Sequence, residues 1–165
     1  MALDLESDIH RIAAQEKRLR LARFDEPVAW TLGTRLKATA EALQLPLAIE
    51  IRLARETVFF HAMAGTAPVN ADWARRKRNT VELLHRSSYG VGRALEQEGS
   101  SLETKLGLPT RDYASHGGSF PLRLVDGTCV GVVTVSGAPQ RQDHAIVVEM
   151  LAAWCGVPLA EVALD

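Results

Sequence analysis

Long apolar runs are missing from these 165 residues. No stretch approaches the ~20 apolar residues of a membrane-spanning helix. The opening residues, MALDLESDIHRIAAQEKRLRLARF, alternate apolar with charged groups and hold no uninterrupted core for a secretory signal. Cysteine is scarce. The two present, Cys129 and Cys155, form no close pair for structural zinc and no Cys-x-x-Cys-His for covalently attached haem, and a reducing cytoplasm is the expected location. Excess charge of either sign is also absent, since 19 Lys plus Arg stand against 20 Asp plus Glu. Without a global field, neither nucleic acid nor a membrane surface is an expected partner. No second histidine stands at helical or strand spacing from His116, so no dedicated metal site is expected. Repeats, linkers and low-complexity segments are lacking as well, and 18.0 kDa suits a single domain over 1–165.

What is present is periodicity. Leu5, Ile9, Ile12 and Leu19 recur at helical spacing and predict an N-terminal helix over residues 1–23. Asp25 before Pro27 is a helix start, followed by the stripe Ala29, Leu32, Leu36, Ala40 and Leu43 to about Gln44. From Pro46 the period becomes two, with Leu47, Ile49, Ile51 and Leu53 on one side and Ala48, Glu50 and Arg52 on the other. Thr57 to Ala64 pairs with this strand as a hairpin. Asn70 caps a helix over about 71–85, and Ser88 starts another reaching Glu96. Strands over 120–125 and 129–135 join through Asp126-Gly127, a pair suited to positive φ. Val147, Met150, Leu151 and Trp154 then stripe a last helix that Gly156 and Pro158 stop. The expected fold class is α+β: one domain, an antiparallel sheet of about four to five strands, and helices packed on it.

Three local features ask for more than packing. In NADWARRKRNTVELL, Trp73, Lys77, Thr80, Val81 and Leu84 share one helical face while Arg75 and Arg78 point elsewhere. Lys77 thus lies in an apolar stripe. Two readings are open: its stem snorkels over Trp73 with the ammonium in water, or the ammonium meets a carboxylate or an anionic ligand at a cleft, with Arg76 alongside. In YASHGGSFPL, the glycines Gly117 and Gly118 beside His116 permit close backbone approach or positive φ. They form either a turn before a strand or an anion cradle of N–H groups. In VTVSGAPQRQDHAIVV, a strand runs into Ser136-Gly137 and then Asp143-His144 at a helix start. Asp143 caps that first turn or faces inward toward a site, and His144, its neighbour in sequence, points to a different face.

W-x3-K at Trp73 to Lys77, H-G-G-x-F-P at His116 to Pro121 and S-G-x-P-x3-D-H at Ser136 to His144 also carry a resemblance. The chain resembles the uncharacterised 0303 branch of the haem-degrading-domain superfamily, which includes HbpS-like and GlcG-like proteins. The resemblance spans most of the chain. It implies a compact, broadly profilin-like domain that assembles into homo-oligomers, and it makes haem a candidate cofactor with His116 as the axial ligand near a motif. The leading expectation is a cytoplasmic protein binding a small anionic molecule, with a tetrapyrrole among the candidates. Its expected site comprises Trp73, Arg76, Lys77, His116, Gly117, Gly118, Ser136 and Asp143. An enzyme using His116 or His144 as base with Asp143 orienting it is the alternative, and a protein-interaction adaptor is the third class.

Overall fold

A computed structural model describes residues 5–165. Helix α1 covers Leu5–Arg18, so the expected helix over 1–23 is shorter, and its first four positions lie outside the described residues. Arg20–Leu21 leaves the helix to form strand β1. There Leu21 is buried, and the pair docks parallel to Arg123-Leu124. Helical periodicity in residues 5–19 does not extend to 20–23, because the next apolar residue is claimed by a sheet edge.

Helix α2, Glu26–Ala42, begins as expected. The Asp25 carboxylate accepts the Val28 N–H at 3.0 Å, with Pro27 in the first turn. Strands β2 (Ala48–Leu53) and β3 (Glu56–Ala62) form the first hairpin, and β4 (Ser119–Leu124) and β5 (Cys129–Ser136) the second. Within the second turn only Gly127 takes a positive φ, +93°, whereas the Asp126 carboxylate accepts the Thr128 N–H at 2.9 Å. The sheet order is β1-β4-β5-β2-β3, antiparallel throughout except for β1 against β4.

Helices cover both faces. Helices α2 and α6 (Gln140–Cys155) bury Leu32, Leu36, Val147 and Leu151 against Ile49, Ile51, Phe120, Leu122, Val133 and Val135. The opposite face carries helix α3 (Pro68–Leu84), whose Arg78 pairs with Glu50 and whose Glu82 pairs with Arg52. The second side of β2 is therefore buried although its sequence is polar: Glu50 is 8 % exposed because the Arg78 guanidinium and the Thr57 hydroxyl meet it there. Burial holds its carboxyl above the ordinary range.

One cap assignment shifts. Helix α3 starts at Pro68, before Asn70, and the Asn70 side chain reaches back to accept the Ala67 N–H at 2.9 Å. Helix α4, Ser88–Gln97, starts at Ser88 as expected, and the Ser87 hydroxyl caps it by accepting the Gly90 N–H at 3.1 Å. A short helix α5, Leu102–Leu106, supplies Leu102 to a satellite cluster with Val91 and Leu95. Cys129 and Cys155 are half-buried, and burial raises both thiols; Arg123, across the strand pair from Cys129, partly opposes this.

Candidate functional site

Lys77 does not snorkel. Its inward helical phase drives the ammonium into the body of the protein, where the residue is 3 % exposed. There Nζ donates to the Gly117 carbonyl at 2.9 Å, the Val135 carbonyl at 2.9 Å and Asp143 Oδ2 at 3.1 Å. Three donors meet three acceptors, so the charge is fully satisfied within the chain. Asp143, 2 % exposed, completes its own shell with the N–H groups of Gly137 at 3.3 Å and Ala138 at 3.0 Å. It therefore fastens the turn before α6 and does not cap the first helical turn, because Pro139 occupies the N-cap and the carboxylate lies beyond it. Burial pushes the Asp143 carboxyl up and the Lys77 amine down, and each charge opposes the other's shift. Backbone donors around the carboxylate and carbonyls around the ammonium both favour the charged pair.

That pair ties the three segments together. Gly118 has φ +128°, and a Cβ on it would come within 2.4 Å of the Val135 carbonyl oxygen and 2.7 Å of Lys77 Nζ. At Gly117 the constraint is closeness alone, a Cβ falling 2.2 Å from the Gln140 carbonyl oxygen. The Gly117 N–H donates to Gln140 Oε1 at 3.2 Å, so this amide is already engaged by the chain.

Above the pair opens a cleft of about 230 Å³, lined by Trp73, Lys77, His116, Gly117, Ser136 and Asp143 among others. Arg76 lies on its flank. Its guanidinium sits 4.2 Å from the Trp73 ring centre, and Nε donates to the Thr110 carbonyl at 2.9 Å. The exposed His116 meets Trp73 edge-on, with ring centres 4.9 Å apart. Partial burial, then Lys77 and Arg76, lower the His116 pKa, which favours the neutral imidazole. Asn70, Gly137, Ala138 and Gln140 also line the cleft and were not among the expected site residues. Their signal was available: Asn70 stands one turn before Trp73, and Gln140 one turn before Asp143.

His144 lies elsewhere. It is 1 % exposed, packed against Tyr89 and Phe120, with Nε2 2.7 Å from Gln15 Oε1. Because Gln15 Nε2 donates to the Val162 carbonyl, Gln15 Oε1 is an acceptor and His144 Nε2 carries the proton. Burial lowers its pKa to about 3. The expected use of His144 as a base with Asp143 is thus ruled out: the two face different interiors, and both Asp143 oxygens are committed to Lys77, Gly137 and Ala138. Among the described residues, no group of three or more His, Cys, Asp or Glu side chains could hold a metal ion, and no helix is long and apolar enough to cross a membrane.

The family model described as haem degrading protein HbpS-like matches residues 24–152. A UPF0303 protein of Azotobacter vinelandii is 51 % identical over 163 residues, covering 99 % of this chain and 98 % of that one. Among solved structures, the Ybr137w protein superposes with a TM-score of 0.82 at 27 % identity, covering 90 % of this chain and 87 % of that one. The PduOC–haem complex superposes with a TM-score of 0.66 at 22 % identity, covering 81 % and 95 %.

Proposed function

The chain belongs to the HbpS-like family, in its UPF0303 branch, and on that basis we propose a cytoplasmic, homo-oligomeric protein that holds a small anionic molecule in the Trp73–His116 cleft. The observation that carries this reading is the buried Lys77–Asp143 pair beneath the cleft. A buried ion pair gains little stability over well-packed apolar residues, so its presence is better explained by what it holds in place. Here it joins α3, the Gly117-Gly118 turn and the start of α6 around one opening. Ligand-binding sites gain affinity from such preorganisation, because the loops are not ordered at the expense of binding. Native mass spectrometry of the purified protein is the test. A co-purifying acid lost on mutation of cleft residues supports the reading, and a ligand-free 18.0 kDa monomer across micromolar concentrations refutes it.

A tetrapyrrole is the second reading, favoured by the family's description and by the haem complex of a structural neighbour. The cleft itself is a poor fit. Its 230 Å³ falls below the roughly 300–1,000 Å³ of pockets that enclose drug-sized ligands. A groove of about 640 Å³ beside the end of α2 is roomier and includes His61 and Met63, both of iron-ligating type. Haemin titration separates the sites: a Soret shift lost in His61→Ala favours the groove, and one lost in His116→Ala favours the cleft.

A further inference from the structure

We propose that the cleft selects a short monocarboxylate, an inference that rests on the cleft being the binding site and adds the chemical class of its ligand. Size sets the first limit. A volume of about 230 Å³ equals the share of roughly eight water molecules, enough for an acid of about six to eight heavy atoms.

Unspent hydrogen-bonding capacity sets the second. Asn70 uses Oδ1 on the Ala67 N–H, which leaves the two Nδ2 hydrogens without a task in that contact. Gln140 uses Oε1 on the Gly117 N–H and likewise retains its Nε2 hydrogens. Ser136 lines the same cleft and is 4 % exposed, and its hydroxyl makes no hydrogen bond among the described residues. That hydroxyl opens onto the cleft, where a ligand oxygen can take its hydrogen bond. The buried cation is already engaged, and the flanking one is engaged through Nε alone. Lys77 has spent three donors on Gly117, Val135 and Asp143, and Arg76 is stacked on Trp73 with Nε on Thr110.

Two amide groups and a hydroxyl, with the buried cation committed to the chain and one guanidinium at the flank, suit one delocalised negative charge better than a phosphate dianion. A carboxylate offers two oxygens with about four lone-pair sites for such donors. Gln140 is also the first residue of the 16-residue helix α6, whose N-terminal dipole favours an anion at this end. His116, kept neutral by its surroundings, can add one ring N–H without adding charge.

The test titrates the full chain with sodium lactate, an acid of about six heavy atoms, alongside inorganic phosphate, acetamide and haemin, and follows amide NMR shifts. Lactate is expected to shift Gly117, Gly137 and Ala138 saturably, with phosphate at least about tenfold weaker. Gln140→Glu retains an acceptor for the Gly117 N–H but places an anionic oxygen where Nε2 stood. It should weaken lactate about tenfold or more while leaving the thermal midpoint unchanged. Lactate binding that ignores Gln140→Glu, or phosphate binding as tightly as lactate, overturns the inference. If acetamide or haemin shifts the cleft and lactate does not, the short-monocarboxylate class is wrong and the binding site stands. If no probe shifts these amides, both readings fail.

Discussion

Replacing Lys77 by methionine keeps most of the stem and removes the charge. In the protein this leaves Asp143 ionised and 2 % exposed, with its charge partner gone, and strips the Gly117 and Val135 carbonyls of a shared donor. Breaking a buried pair by removing one partner costs about 3–5 kcal/mol. For a chain of this length each kcal/mol lowers the thermal midpoint by about 2–4 °C, so a drop of roughly 6–20 °C is expected at pH 7. The loss depends on pH in a definite direction. Without Lys77 the folded-state pKa of Asp143, already raised by burial, rises further. The folded variant then binds more protons than its unfolded chain, and its stability relative to wild type increases as pH falls through that raised pKa. Urea unfolding of both proteins over a series of pH values descending from 7 should show the gap narrowing. Lys77→Met/Asp143→Asn should cost less than the sum of the single changes, because contacting residues couple. A variant within about 2 °C of wild type at pH 7, or a gap that does not narrow as pH is lowered, refutes the assignment of a buried charged pair.

Gly118→Ala should prevent stable folding, since a Cβ at φ +128° meets the Val135 carbonyl oxygen at 2.4 Å. Gly99→Ala, whose Cβ meets nothing within 4 Å, should cost about 1 kcal/mol through its φ of +63° alone; equal soluble yields and midpoints would contradict the difference. His144, with a folded pKa of about 3 against 6.5, remains neutral in the fold while the unfolded chain takes up a proton below pH 6.5. Its contribution is complete above pH 6.5 and falls by about 1.4 kcal/mol per pH unit towards pH 3. His144→Gln should therefore flatten the wild-type loss between pH 6.5 and pH 5, and an unchanged slope in urea titrations would count against it. Cys129 and Cys155, both raised by burial, should react with iodoacetamide at pH 7 several-fold slower than a free thiol, and labelling at the free-thiol rate would contradict their placement.

Most elements were legible from local rules. The Asp25–Pro27 start, the period-two residues of β2, the Gly156 stop and the inward phase of Lys77 each depend on neighbours within a turn or two of chain. Periodicity reports which side of its own axis a residue occupies, and for Lys77 that sufficed to mark it as anomalous. It does not report what waits on that side. The acceptors of Lys77 come from 40, 58 and 66 residues away, and only the packing of α3 and α6 against the two ends of β4 and β5 brings them to one nitrogen. The same limit explains β1, where two residues became a strand because an edge at Arg123-Leu124 was free to pair with them. It explains the buried polar side of β2, where α3 supplied the opposing charges. It also explains the separation of Asp143 from His144: sequence adjacency turned them about 100° apart on α6. Tertiary packing then gave one to Lys77 at the cleft and the other to Gln15 in the interior.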